Sequence, residues 1–310
     1  MLNPRIFREL LIISRPRQWT KNLLIFAASL FTFKFNFSYW TFSTQAFICF
    51  CFISSAVYTL NDILDRDSDK KHKSKKFRPI ASGRLPLRIA IIYSLILTFI
   101  SLSLSIFINK LLFLIVLGYL LIQIAYCFGL KKQPILDIFC IAFGFILRAL
   151  AGIIFTDVLP SHWFLLSIGF LALFLAIEKR KAELRISLNT GIVTRKVLMR
   201  YSLPLLQRLE SLVACSSLMT YTLWSSGPSL NGAGTSWMLL SVPFVLVGIF
   251  RYQLLSDPEE FERRKLNHPN RTTESPEDIL LEDNGIRLCI IGWLITVLVI
   301  GISNQYSLIL

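Results

Sequence analysis

Residues 40–69 read WTFSTQAFICFCFISSAVYTLNDILDRDSD, and this stretch carries no charged side chain before Asp62. Its apolar part is long enough to cross a bilayer as a helix, which takes about 20 residues. The motif N-D-x-x-D-x-x-x-D, formed by Asn61, Asp62, Asp65 and Asp69, follows at the end of that part. A membrane-spanning helix that ends in a cluster of carboxylates therefore decides the fold class and marks the first candidate site.

The oxygen-bearing side chains of this motif have the spacing of a metal site. Acidic residues number only 19 in the chain, and on a helix Asn61, Asp65 and Asp69 share one face, with Asp62 one turn from Asp65. Carboxylates aligned in this way repel one another unless a cation lies between them. Oxygen ligands without His or Cys nearby select a hard ion, so these four residues predict a Mg²⁺ site. The alternative is a solvated helix end whose acidic side chains neutralise the lysines that follow.

The composition of the whole chain is typical of a membrane protein. Hydrophobic residues make up 54% and aromatic residues 13%, and the mean hydropathy is +0.59. A soluble domain of this length would have to hide more apolar surface than one core accepts. We predict an all-α polytopic bundle with nine membrane spans, at residues 19–34, 40–61, 87–108, 111–129, 134–156, 162–179, 205–224, 236–255 and 286–305.

The basic residues predict the orientation of this bundle. The net charge of +14 could suggest nucleic acid as a partner, but the distribution of the charges argues against it. With nine spans, the 33 Lys and Arg residues all fall on one side except Lys34, Lys110 and Arg148. Because positively charged loops stay in the cytoplasm, we predict a cytoplasmic N-terminus, an outer C-terminus and a site that faces the cytoplasm. We expect the membrane to be a bacterial plasma membrane.

A single membrane domain is predicted over residues 1–310. Within it, residues 1–17 contain an apolar stretch that is flanked by arginines and is too short to span, so we predict an interfacial helix there. Residues 256–284 are polar and carry both signs of charge. They are predicted to form a cytoplasmic surface loop or, alternatively, a flap over the active site.

Basic and polar side chains near the carboxylates are candidates for binding phosphate. Arg78 and Ser82 belong to R-P-I-A-S-G, in which Pro and Gly fix a turn that would aim both side chains. Lys21 and Asn22 lie about one turn inside the first span, where an unpaired charge is costly. For Lys21 the alternative is a side chain that reaches back to the membrane surface.

Other motifs supply further candidate contacts. Tyr126 and Lys131 lie in the loop motif Y-C-F-G-L-K-K-Q-P-I-L-D. Arg148 lies within a span, where a guanidinium costs about 2.5–3.5 kcal/mol on insertion scales and should meet an anion. Lys179 and Arg180 belong to E-K-R-K-A-E-L-R at the end of the sixth span, although a stop-transfer cluster would look similar.

These motifs together resemble the UbiA superfamily of polytopic membrane transferases, which have nine helices and N-D-x-x-D-x-x-x-D after the second helix. The resemblance covers essentially the whole chain. Four stretches, R-P-R-Q-W-x-K-N, K-x-F-R-P-I-A-S-G, L-K-K-x-P-x-x-D and K-R-x-A-E-L, look most like one branch of the superfamily. That branch transfers 5-phosphoribose from phosphoribosyl diphosphate to a polyprenyl phosphate of the decaprenyl type.

The resemblance implies a Mg²⁺-dependent pentosyltransferase that releases diphosphate. It implies that Asp62, Asp65 and Asp69 are catalytic and, with Asn61, hold Mg²⁺ on the donor diphosphate. It implies substrate-binding roles for the remaining candidates, which are Lys21, Asn22, Arg78, Ser82, Tyr126, Lys131, Arg148, Lys179 and Arg180. The implied partners are phosphoribosyl diphosphate, a polyprenyl phosphate and the lipid bilayer, and the sequence leaves a homo-oligomer open.

Two other classes of protein remain open at this point. Aromatic prenyltransferases of the superfamily carry a second aspartate-rich motif near the end of the sixth helix, where this chain has A-I-E-K-R-K-A-E and no aspartate. The additional cations suit substrates with more than one phosphate group, which favours phosphoribosyl transfer over transfer of an isoprenoid chain to an aromatic acceptor. The other open class is a transporter or a lipid-binding protein, although a transporter would have little use for a stripe of carboxylates.

Overall fold

The computed structural model describes residues 4–31, 37–71, 75–156, 161–191, 195–257, 259–260, 263 and 283–305. Within these residues all regular secondary structure is helical, which confirms the predicted all-α class. The α-helices are α1 (Pro4–Ser14), α2 (Ala27–Phe31), α3 (Phe37–Leu64), α4 (Arg66–Lys70), α5 (Leu87–Ile108), α6 (Lys110–Phe128), α7 (Leu136–Ile153), α8 (His162–Thr190), α9 (Leu203–Ser225), α10 (Val242–Leu255) and α11 (Asn284–Gln305). Shorter 3₁₀ helices lie at Pro16–Phe26, Lys75–Phe77, Leu130–Lys132, Lys196–Arg200, Pro228–Leu230 and Ser236–Ser241.

Seven helices of the described chain are long and apolar enough to cross a membrane, so the protein is an integral membrane protein. They are Phe37–Leu64, Leu87–Ile108, Lys110–Phe128, Leu136–Ile153, His162–Leu188, Ser236–Leu255 and Asn284–Asn304. Each of them overlaps a predicted span, but the helix His162–Leu188 continues past residue 179, where the sixth span was predicted to end. The agreement arises because an apolar run in lipid can satisfy all its backbone hydrogen bonds locally only as a helix.

Two of the nine predicted spans are not among these seven helices. The span predicted over 19–34 is described in part, and it begins as the 3₁₀ helix Pro16–Phe26 before it continues into α2. The span predicted over 205–224 corresponds to α9, which has 23 residues and includes charged and polar side chains. The predicted loop over 256–284 lies almost entirely outside the described residues.

The chain divides into two compact units, and the first comprises Met1–Ser29 and Asn36–Val158. Helix α3 is central to this unit, because α5, α6, α7 and the Pro16–Phe26 helix all pack against it. The core between these elements is formed by Ile25, Ala46, Phe50, Ile53, Val57, Leu112, Val116, Tyr119 and Ala151. The end of α3, which carries the carboxylates, is therefore fixed by neighbours along its length. The single domain predicted over 1–310 stays a prediction.

Helix α1 packs against the turn that follows the carboxylates. Leu10 and Ile13 are buried in a cluster with Ile80 and Leu85. Elsewhere on α1, Phe7 and Leu11 are exposed, as are its two arginines. This helix thus has one packed face and further apolar side chains without cover from the described residues, an arrangement compatible with the interfacial helix predicted over residues 1–17.

The second unit comprises Leu30–Phe35 and Leu159–Leu310. Helix α8 packs along α9, and α10 packs along α11. Its core is rich in aromatic side chains, and Phe31 meets Trp224 edge-on with ring centroids 4.6 Å apart. The cluster includes Tyr221, Trp224, Ala233, Met238, Val297 and Ile300. Aromatic edge contacts of this kind add to the free energy gained from burying apolar surface.

Gly152 allows the Pro16–Phe26 helix to lie directly against α7. A Cβ atom at Gly152 would lie 1.9 Å from the backbone oxygen of Ile25, which is far inside van der Waals contact. The obstructing atom belongs to the backbone, so it cannot move aside as the end of a flexible side chain would. Any side chain at position 152 must therefore separate these two helices.

We expect Gly152→Ala to destabilise the protein by about 1–3 kcal/mol, the usual cost of overpacking a core. The measurement is the thermal unfolding of purified protein in detergent. Gly118→Ala in α6 is the matched control, because no atom lies within 4 Å of the Cβ that it adds. Alanine is also the better helix former, so the control should unfold at the same temperature as the wild type or higher. Equal unfolding temperatures for the two variants would contradict the close approach.

Candidate active site

The carboxylate cluster lies where α3 ends and α4 begins. Asn61 and Asp62 occupy the last turn of α3, Asp65 precedes α4, and Asp69 lies within α4. Helical hydrogen bonds continue across the junction, from the Asp65 amide to the Asn61 oxygen at 2.9 Å and from the Asp69 amide to the Asp65 oxygen at 2.8 Å. The four side chains therefore keep nearly helical spacing, as the sequence predicted.

Arg78 joins two of the carboxylates. Its Nη1 donates to Asp62 Oδ1 at 3.0 Å and to Asp69 Oδ2 at 2.7 Å. Asp62 also accepts a hydrogen bond of 2.5 Å from Nη2 of Arg15. Both carboxylates are buried, and each has a guanidinium within hydrogen-bond distance, which offsets the cost of removing their charge from water.

Lys131 joins the other two members of the motif. Its Nζ donates to Asp65 Oδ1 at 2.6 Å and to Asn61 Oδ1 at 3.3 Å. The four side chains thus form two pairs, Asp62 with Asp69 and Asn61 with Asp65. This grouping differs from the single stripe expected from i, i+4, i+8 spacing, because positions seven apart on a helix point within about 20° of each other and positions eight apart diverge by about 80°.

Burial and charge act in opposite directions on Asp69. Burial raises the pKa of the Asp69 carboxyl above its ordinary value of 3.8, and the adjacent Arg78 guanidinium lowers it in part. Asp62 raises the pKa further because it is a second negative charge nearby. The ionised form of Asp69 therefore depends on the positive charge beside it.

The turn of R-P-I-A-S-G holds Arg78 in place. Ser82 donates its backbone amide to the Arg78 oxygen at 2.9 Å, and Gly83 adopts a φ of +79°, which favours glycine. Arg84 closes the turn, since its Nη2 donates to the Phe77 oxygen at 2.6 Å and its Nε donates to Ser82 Oγ at 3.1 Å. The prediction that Pro and Gly define a turn here agrees with this geometry.

Arg15 is a site residue that the sequence reasoning missed. It lies between α1 and the Pro16–Phe26 helix, with a φ of +52°, and its guanidinium also stacks 5.3 Å from the ring of Tyr58. Its contact with Asp62 bridges 47 positions of sequence. The signal that could have found it is a basic residue at a helix junction on the same side of the membrane as the carboxylates.

Two of the predicted substrate contacts lie together in a buried hydrogen-bond network. Arg148 Nε donates to Asn22 Oδ1 at 2.7 Å, and Nη2 donates to the Tyr119 hydroxyl at 3.0 Å. Both Arg148 and Asn22 are buried. Their predicted contact with substrate stays a prediction, since the contacts that the structure describes are with other residues of the chain.

The remaining candidates lie in different surroundings. Lys21 and Tyr126 are partly exposed in the first unit, and Ser82 is exposed. Lys179 and Arg180 belong to the second unit, where Arg180 is buried and donates to Glu183. The predicted roles of these five residues in binding substrate stay predictions.

A second cluster of charges lies within the second unit. Lys181 donates to Glu178 Oε1 at 2.7 Å and also to Glu210 on the neighbouring helix α9. All three residues are buried. Arg180 and Arg195 contact Glu183 close by. The mixed-sign motif noted in the sequence is thus an ion-pair network that joins α8 to α9.

The carboxylate cluster of the first unit has donors of the type that Mg²⁺ prefers. Among the described residues, no three His, Cys, Asp or Glu side chains form a preassembled metal site. However, Mg²⁺ commonly binds through one or two carboxylates and takes its other ligands from water and substrate phosphates. The oxygen atoms of three carboxylates and one amide therefore fit this ion. A bound Mg²⁺ would take the place of a guanidinium or ammonium group at the carboxylate oxygens.

The fold and this site define a polytopic, all-helical membrane enzyme with an acidic cluster at the end of α3, the first long apolar helix of the described chain. The profile of the UbiA prenyltransferase family matches residues 22–267, and the chain belongs to that family of transferases.

Individual relatives support the same assignment. Decaprenyl-phosphate phosphoribosyltransferase from Mycolicibacterium smegmatis is 34% identical over 296 residues, which cover 91% of this chain and 89% of that protein. The protein of the same name from Mycobacterium tuberculosis is 35% identical over 289 residues, with 91% of each chain covered. A UbiA homologue from Archaeoglobus fulgidus, solved with GPP and Mg²⁺, aligns with a TM-score of 0.67 at 19% identity and covers 94% of this chain and 99% of its own. That likeness establishes the UbiA-like fold.

We expect Arg78→Gln to lower the free energy of unfolding by about 1.5–3 kcal/mol, because two buried carboxylates lose a charged hydrogen-bond donor. The measurement is thermal or denaturant unfolding in detergent without divalent metal. Lys70→Gln is the control, because the Lys70–Asp67 pair is exposed and such pairs contribute at most about 1 kcal/mol. If both variants unfold like the wild type, Arg78 does not stabilise the cluster.

Proposed function

We propose that this protein transfers 5-phosphoribose from phosphoribosyl diphosphate to a polyprenyl phosphate of the decaprenyl type and releases diphosphate. The observation that carries the proposal is the alternation of charge in the first unit, where Asp62, Asp65 and Asp69 are interleaved with basic side chains. A magnesium diphosphate presents the same two kinds of charge, and the phosphates of donor and acceptor require additional cations. The relatives that share a third of the sequence carry the name of this activity.

The residues of the cluster divide into two roles under this proposal. Asp62, Asp65 and Asp69, with Asn61, would hold Mg²⁺, and a bound Mg²⁺ would stabilise the diphosphate as it leaves C1 of the ribose. Arg78 and Lys131 would bind phosphate oxygens. We add Arg15 to this second group because it contacts Asp62, which Arg78 also contacts.

The reaction requires little proton transfer. An oxygen of the acceptor phosphate forms the new bond to C1 of the ribose while the bond from C1 to the diphosphate oxygen breaks. The acceptor is already ionised at neutral pH, so no strong general base is needed. Catalysis would consist mainly of positioning and of stabilising the charge on the leaving diphosphate.

The proposed topology has nine membrane crossings, with a cytoplasmic N-terminus and an outer C-terminus. In addition to the seven long apolar helices, the Pro16–Phe26 helix with α2 and the helix α9 would cross. The excess of Lys and Arg in the loops on one side supports this orientation.

We expect a fusion of alkaline phosphatase after residue 310 to be active in a bacterial host, because that reporter folds only outside the cytoplasm, where its disulfides form. A fusion after residue 71, in the first predicted cytoplasmic loop, is the control and should be inactive. If the number of crossings were even, the fusion after residue 310 would be inactive as well.

The decisive test of the activity is a transfer assay with radiolabelled phosphoribosyl diphosphate, decaprenyl phosphate and purified protein. Label should enter the organic phase only with Mg²⁺. Asp62→Asn should lower kcat/KM by about 100-fold, the usual loss when a group that stabilises transition-state charge is removed. Asp67→Asn is the matched control, because this aspartate lies in the same acidic stretch but is almost fully exposed.

Two results would overturn the proposal. If the Asp62→Asn variant transfers ribose as fast as the wild type, the activity does not depend on the carboxylate cluster. A folded wild type that transfers no ribose, but moves label from a prenyl diphosphate to an aromatic acceptor, would assign the protein to the second candidate class, the aromatic prenyltransferases.

A further inference from the structure

Arg148 is a charged residue buried in the membrane-spanning part of α7. It is 4% exposed. Its three hydrogen-bond acceptors are Asn22 Oδ1, the Gly144 backbone oxygen and the Tyr119 hydroxyl, at 2.7, 2.7 and 3.0 Å. All three are neutral, and among the described residues no carboxylate forms a salt bridge with Arg148.

Neutral groups of the chain offset much of the free-energy cost of burying this charge. Three aromatic rings surround the guanidinium carbon, with centroids 4.8 Å away for Tyr119, 5.6 Å for Phe145 and 5.8 Å for Phe50. Aromatic faces attract cations, and this attraction increases where water is excluded. Together with three hydrogen bonds they offset the cost of burying the charge, so Arg148 does not require a substrate anion in order to be stable.

Asn22 connects Arg148 to the helix that reaches the carboxylates. Its amide oxygen accepts from Arg148 on α7, and its amide nitrogen contacts Cys51 Sγ on α3 at 3.4 Å. One turn further along, Ile25 lies against Gly152 of α7. The Pro16–Phe26 helix is thus held on α7 at two adjacent points. Arg15, which immediately precedes this helix, contacts Asp62.

We propose that Arg148 is a positioning residue that acts through Asn22. The hydrogen bond between them holds the Pro16–Phe26 helix against α7, and so holds Arg15, which immediately precedes this helix, beside Asp62 of the carboxylate cluster. Arg148 itself binds no phosphate. Only the kinetic measurements that test this inference rest on the proposed phosphoribosyl transfer; the unfolding measurements do not.

The substitution Asn22→Asp separates a positioning role from phosphate binding. A carboxylate at this position keeps the oxygen that accepts from Arg148 and adds a negative charge. The hydrogen bond that holds the Pro16–Phe26 helix on α7 is therefore kept. A phosphate-binding guanidinium would instead be neutralised by the same substitution. Asn22→Leu and Arg148→Met remove each partner, and the double variant completes a thermodynamic cycle. Arg88→Lys, at an exposed position of α5, is the control.

We expect Asn22→Leu and Arg148→Met each to lower the unfolding temperature, and the double variant to lower it by less than the sum of the two. Asn22→Asp should unfold like the wild type and keep its KM for decaprenyl phosphate within about twofold. Arg148→Met should raise the KM for phosphoribosyl diphosphate about tenfold, equivalent to about 1.4 kcal/mol, because Arg15 is no longer held at the cluster.

Two outcomes would overturn this inference. In the first, Asn22→Asp raises the KM for decaprenyl phosphate about tenfold or more while the unfolding temperature is unchanged, which shows that this pair of side chains meets the phosphate and does more than hold the helix. In the second, the unfolding temperatures of the cycle are strictly additive, which shows that the two side chains do not act together. The second result can be read even if the wild type transfers no ribose, so failure of the inference and failure of the proposed function are distinguishable.

Discussion

The structure of the first unit depends on the neutralisation of Asp62, which is 3% exposed at the end of a membrane-spanning helix. A carboxylate in such a position is stable only beside positive charge. Arg78 and Arg15 supply it from two directions. This requirement explains why the R-P-I-A-S-G turn folds back onto α3, and why the chain between α1 and the Pro16–Phe26 helix passes beside the same carboxylate.

Under the proposed function, the same ion pairs would let one cluster serve both stability and binding. In the described contacts, each carboxylate is occupied by a cation of the chain. A divalent ion that binds Asp62, Asp65 or Asp69 would displace these cations, and the displaced groups would then be available to the phosphate oxygens that accompany the metal. Binding of metal and of diphosphate would therefore be coupled. The metal would displace the basic side chains from the carboxylates, and the diphosphate would then neutralise those basic side chains.

The sequence predicted those features that depend on local spacing. The span over 40–61 and the following carboxylates correspond to α3 and its end, and both Arg78 and Lys131 contact carboxylates or the amide of the motif. Contacts between distant positions could not be predicted in the same way. The sequence indicated that Arg148 would face the bundle interior and meet an anion, but the described acceptors of its hydrogen bonds are neutral, and one of them is an amide 126 positions away. Only the packing of the Pro16–Phe26 helix on α7 brings them together.

Two charged clusters among the described residues show why the sign of a residue alone does not assign a binding role. In the first unit, the side chains of Arg15 and Arg78 are 28% and 26% exposed, so solvent or a ligand can reach the cations that neutralise the carboxylates. In the second unit, Lys181 is 6% exposed and its partners Glu178 and Glu210 are 2% and 7% exposed. Breaking that pair would leave buried charges without compensation. Exchange with an incoming ion is therefore far easier in the first cluster, whereas the second has the character of a fixed link between α8 and α9.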